Sequence, residues 1–142
     1  MMNDEEEKIK GEVNMTIQTN SIKKVGQVAV PVQDIKRSIH FYKDVLGLQL
    51  LFNTDHMAFF DCDGLRIMLS LPEKEEFAGT SSVIYFQVGD ITESYKELKR
   101  KEVTFLGAPH IVAKMENTET WMVFFKDSEG NTHALMSEVV IS

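Results

Sequence analysis

The chain repeats itself, and that constrains its fold more than any other feature. A shift of 56 residues lays Val28, Val30, Val32, Asp34, Ile35 and Ser38 on Ile84, Phe86, Val88, Asp90, Ile91 and Ser94. Nearer the end of each unit, a shift of 66 lays Gly64, Ile67 and Leu69 on Gly130, His133 and Leu135. Six of these nine pairs are identical but the positions between them differ, so the repeat is one of pattern, and the difference between the shifts is loop length.

In GQVAVPVQDI, residues 26–35, Val28, Val30 and Val32 alternate with Gln27 and Ala29 as on a strand. Asp34 follows as an N-cap, Ile35, Ile39, Tyr42 and Leu46 recur at helical spacing, and Gly47 stands where a helix closes. LQLLFN, HMAFFDC and LRIMLSL then predict three strands, with Asp63-Gly64 as a hairpin turn. The order restarts at VIYFQV, residues 83–88: Asp90 and Glu93 pair as a cap, and Ile91, Tyr95 and Leu98 repeat the helical stripe. Three strands follow around VTFLG, WMVFF and THALMS, the last after the turn Asp127-Ser128-Glu129-Gly130. These spacings predict an α+β domain over residues 21–142, made of two βαβββ modules at about 22–75 and about 80–138. Residues 1–20 are polar and poor in aromatic groups, and predict a tail unable to offset its own ordering entropy.

A net charge of −7 with no large Lys/Arg cluster argues against nucleic acid as a partner. No apolar run is long enough to span a bilayer, no signal pattern opens the chain, and the single Cys62 forms no intramolecular disulfide. The expectation is a cytoplasmic protein that does not engage membranes.

Alternation divides the strands into two sets. Val28, Val30, Ile67, Leu69, Ile84, Phe86 and Leu135 are apolar and suit a face covered by helices. The other set, Gln27, Ala29, Arg66, Met68, Ser70, Val83, Tyr85, Gln87, Thr132, Ala134 and Met136, is expected to line a cup enclosed between the two sheets.

With FYKDVLG in the first module and KDSEGNTHAL closing the second, the chain over about residues 22–138 resembles the vicinal oxygen chelate, or glyoxalase/bleomycin resistance/dioxygenase, superfamily. In metal-using members, the resemblance implies four facing ligand positions, which fall here on Gln27, Met68, Val83 and Ala134. Val83 and Ala134 have no donor, Met68 offers a soft thioether and Gln27 a lone amide, so neither metal nor other cofactor is expected. The resemblance further implies a homodimer with sites between chains and, in its drug-sequestering branch, a small-molecule ligand. With this acidic chain, a cationic drug is the ligand expected.

Met68 and Met136 can repack around varied shapes, Tyr85 and Trp121 offer stacking faces, and Gln27, Gln87, Arg66 and Ser70 can orient a ligand by hydrogen bonds. With Val83 and Ala134 these form the candidate binding set. His133 falls on the helix-facing set and reads as structural, His40 as solvated, and His56 and His110 as edge residues without metal-ligand spacing. Cys62 has no basic neighbour to activate it, and KMENTET, with Glu116 and Glu119, reads as a polar loop placed as a lid before Trp121. Three functions compete: metal-free binding of a small molecule, metal-dependent isomerase or dioxygenase chemistry, and a dimeric scaffold with its cup packed shut.

Overall fold

The alternation and the caps do what their residue types require. In the computed structural model, which describes residues 21–72 and 81–141, β1 (Gln27–Pro31) runs parallel to β4 (Leu65–Ser70), and β3 (Met57–Cys62) and β2 (Gln49–Asn53) continue that sheet antiparallel. The second sheet has the order β5 (Tyr85–Gln87), β9 (Thr132–Val140), β8 (Thr118–Lys126), β6 (Thr104–Phe105), with β7 (His110–Met115) also paired to β8. No strand of one sheet pairs with a strand of the other among the described residues. The polar segment read as a tail lies outside the described residues.

Helix α1 (Ile35–Ile39) starts where the Asp34 carboxylate accepts from the Arg37 N–H at 3.0 Å, and α2 (Ile91–Arg100) where Asp90 accepts from the Glu93 N–H at 3.1 Å. The first helical stripe is not one α-helix as its spacing predicts. After Ile39 it widens into a π-helical turn, His40–Val45, with the Leu46 N–H reaching the Phe41 carbonyl at 2.9 Å. The polar loop expected before Trp121 is instead a β7–β8 hairpin, turning at Glu116 with φ of +52°. Its β7 half, HIVAKM, is exposed along its whole length and so carries no alternation to betray it.

Val30, Phe60, Ile67, Leu69 and Phe125 are fully buried, and with the helices they make a core common to both modules. Tyr42 stands between the sheets, its ring 5.8 Å from Phe60 of the first and 6.0 Å from His133 of the second. The Asn131 amide donates to the Pro31 carbonyl at 3.1 Å, tying the start of β9 to the end of β1. The apolar faces of both sheets thus share one core with the helices, while Gln27, Ala29, Arg66, Tyr85 and Gln87 on the alternate faces are exposed. One chain alone does not enclose the expected cup. Burying both apolar sets in one core removes more apolar area from water than a cup of mixed polarity would.

Candidate functional site

On the outward face of the first sheet, register sets Gln27 beside Arg66 and Arg66 beside Asp61, then Ala29, Met68 and Phe59, then Pro31, Ser70 and Met57. The Arg66 Nε donates to Gln27 Oε1 at 2.9 Å, and Gln27 Nε2 lies 3.7 Å from the Met68 sulfur. The guanidinium carbon sits 5.5 Å from the Phe59 ring centroid, within cation–π range. Phe59 is stacked on Phe52 at 4.7 Å and 20°, where the β2–β3 register shifts between Leu50 and Phe52. Asp61, opposite Arg66, accepts from the Gly64 N–H at 3.2 Å. Among the described residues, Arg66 has no ion-pair partner.

The second sheet's outward face places Ala134 between Tyr85 and Phe124, and Met136 between Gln87 and Met122. Tyr85 and Phe124 meet edge-on at 6.3 Å across the fully buried Ala134, so the rings and not the methyl form the surface. Val83, just before β5, is 38% exposed.

Trp121 does not join either group. Its register partners are Ser137 and Ile111, on the opposite face of β8 from Met122, and its Nε1 donates to Glu119 Oε1 at 3.2 Å. The predicted binding set thus falls in three places: Gln27, Arg66, Met68 and Ser70 on one outward face; Val83, Tyr85, Gln87, Ala134 and Met136 on or beside the other; Trp121 on neither.

Between the modules lies a polar cluster on the helical side. The Tyr42 hydroxyl donates to Asp127 Oδ2 at 2.6 Å and contacts His133 Nε2 at 2.7 Å. Since the one phenolic proton goes to Asp127, His133 Nε2 carries the proton it shares with Tyr42, and the buried Nδ1 has no hydrogen-bond partner among the described residues. Burial pushes the Asp127 carboxyl up. Hydrogen bonds from His133, Tyr42, Asn131 and the Glu129 N–H outweigh that and hold it at about 2. Burial first, then the Asp127 charge, raises the Tyr42 phenol well above its ordinary value, so it remains a donor. Arg37 reaches the buried Glu129 carboxylate at 2.6 Å, a second tie between α1 and the last turn. His133 is therefore structural, as its strand parity predicts, and His40 is an exposed partner of Asp44 at 2.9 Å. Burial, then Asp61 and Asp63, push the Cys62 thiol up, which is the wrong direction for a nucleophile.

A family model, the Glyoxalase/Bleomycin resistance protein/Dioxygenase superfamily, matches residues 24–135. The chain belongs to this superfamily. Metallothiol transferase FosB of Staphylococcus haemolyticus is 29% identical over 90 residues, 60% of this chain and 65% of that protein, so the match spans under two thirds of the relative's length. Among solved structures, a superfamily member from Sphaerobacter thermophilus superposes with a TM-score of 0.70 at 24% identity, covering 82% of this chain and 98% of that one. Lactoylglutathione lyase from Agrobacterium tumefaciens gives 0.67 at 18%, covering 82% and 95%. At these identities the structures establish the fold alone.

The residues that sequence reasoning passed over in this superfamily member are Phe52, Phe59 and Phe124, the aromatic surface of the outward faces. Phe59 was legible: it alternates with the buried Ala58 and Phe60. Phe52 was not, because a register shift carries it there. No group of three or more His, Cys, Asp or Glu side chains suited to a metal ion occurs among the described residues.

Proposed function

We propose that this superfamily member binds a small molecule without a metal, in a cup completed by a second copy of the chain. The observation that carries this is the state of Gln27. Its carbonyl oxygen, the one hard donor among the four positions the family resemblance marks, accepts from Arg66 at 2.9 Å. A guanidinium at that distance repels a divalent ion, Val83 and Ala134 offer nothing to replace the lost ligand, and the Met68 thioether suits only soft metals. The residues do not fit the metal. The second copy is supported by the outward faces themselves. Val83 and Tyr85 are 38% and 47% exposed, and among the described residues β1 and β5 each leave one edge unpaired. Setting the first face of one copy against the second face of another encloses Arg66, Met68 and Ser70 opposite Tyr85, Gln87 and Met136, with the polar anchors on apolar walls that small-molecule sites need.

The similarity to the staphylococcal metallothiol transferases favours a second reading, metal-dependent group transfer. Metal analysis of protein purified without chelators, together with thermal unfolding in the presence of Ni, Zn, Mn and Fe(II) salts, separates the two. Metal-free binding predicts no bound metal and no rise in midpoint, whereas stoichiometric metal with a chelator-reversible rise overturns it.

A further inference from the structure

We propose that Arg66 is a ligand-binding residue that takes the carboxylate of a planar aromatic molecule, supplying as a fixed guanidinium the positive charge at this face. This rests on the reading of the outward faces as a metal-free cup and names the ligand class. The guanidinium is held from two sides: its Nε is spent on Gln27 Oε1 at 2.9 Å, and its plane is carried by the Phe59 ring, 5.5 Å from centroid to Cζ. The two Nη groups have no ion-pair partner among the described residues. A fork whose Nε edge is occupied and whose terminal nitrogens are free matches the two oxygens of a carboxylate, and holding it beforehand reduces the entropy lost on binding.

Two neighbouring groups set the rest of the ligand. Phe52, 55% exposed and stacked on Phe59 at 4.7 Å, offers its outer face to an aromatic ring, and the Met68 thioether next to Phe59 adapts to its outline. The acid facing Arg66 in register is Asp61, whose Oδ1 is engaged by the Gly64 N–H. The outward face of the second sheet carries one charge of each sign, Lys126, which donates to Thr132 Oγ1 at 2.8 Å, and the exposed Glu138, in register with Thr120. The chain's net charge of −7 points to a cationic ligand, but a fixed guanidinium in direct contact outweighs distant screened charges.

The test is calorimetric titration of the full chain with 2-naphthoate, the uncharged 2-naphthamide and the cationic 2-naphthylmethylamine, on wild type, Arg66→Gln and Arg66→Lys. Circular dichroism and solution mass check that the variants keep the fold. Naphthoate is expected to bind at least tenfold more tightly than either analogue. Arg66→Gln is expected to bring naphthoate down to the level of the amide while changing amide affinity less than twofold, and Arg66→Lys to fall between. Equal affinity for acid and amide, or tighter binding of the amine, overturns the role of Arg66 and leaves the metal-free cup standing. Binding that needs added metal, or no binding by any of the three, overturns the cup and this proposal with it.

Discussion

Tyr42 carries more of the fold than its single hydroxyl suggests. That group is the donor to Asp127 and the acceptor for His133, all three buried, so Tyr42→Phe leaves a carboxylate short of a donor and an imidazole N–H with nothing to meet. The expected loss is about 2–3 kcal/mol in urea unfolding, above the usual cost of a neutral hydrogen bond because one partner is charged. Asp127 also ties stability to pH. Its folded value near 2 lies below the ordinary 3.8, so its contribution, about 2 kcal/mol, is fully present above pH 4 and is lost as pH falls toward 2. Urea unfolding from pH 6 down to 2 checks this, and Asp127→Asn should flatten the slope while lowering stability throughout. Asp127 was visible in the sequence only as a turn residue. That it joins Tyr42, 85 positions away, is a fact of packing that no local pattern encodes.

At the scale of elements, local chemistry was mostly readable. Asp34 and Asp90 cap the two helices where an acidic residue precedes an apolar stripe. Gly47 closes the first stripe at φ of +82°, a backbone that L side chains rarely adopt, and a Cβ there would meet no atom within 4 Å. Gly47→Ala should therefore cost about 1 kcal/mol from conformation alone, read as a lower unfolding midpoint with an unchanged denaturant slope. Where reading failed, the reasons are physical. A π-helical turn keeps the apolar positions on one side and differs from an α-helix mainly in its hydrogen bonds, so the stripe Ile35, Ile39, Tyr42, Leu46 hides it. Strand β7, exposed on both faces, has no burial to impose alternation, and its pairing with β8 makes it a strand.

For the whole molecule, the arrangement of the two modules decides what a site can be. With the apolar faces of both sheets buried in one core, residues on each outward face are exposed, and the proposed dimer covers both. Sedimentation at micromolar concentration should give twice the chain mass of 16.2 kDa, and Tyr85→Glu, placing a charge in the middle of that contact, should return it to one chain. A wild-type mass of one chain would remove the second copy from the proposal. The sequence by itself determined the α+β class, the parity of β1, β4 and β5, the helix caps and the structural role of His133, because period, cap chemistry and turn residues act within a few positions of one another. Only the tertiary structure decided that Gln27 is engaged by Arg66, that Trp121 stands apart from the other candidates, and that the remaining candidates fall on two separate sheets. Those outcomes depend on register shifts and on which apolar faces share a layer, and the free energy that selects them comes from contacts between residues far apart in the chain.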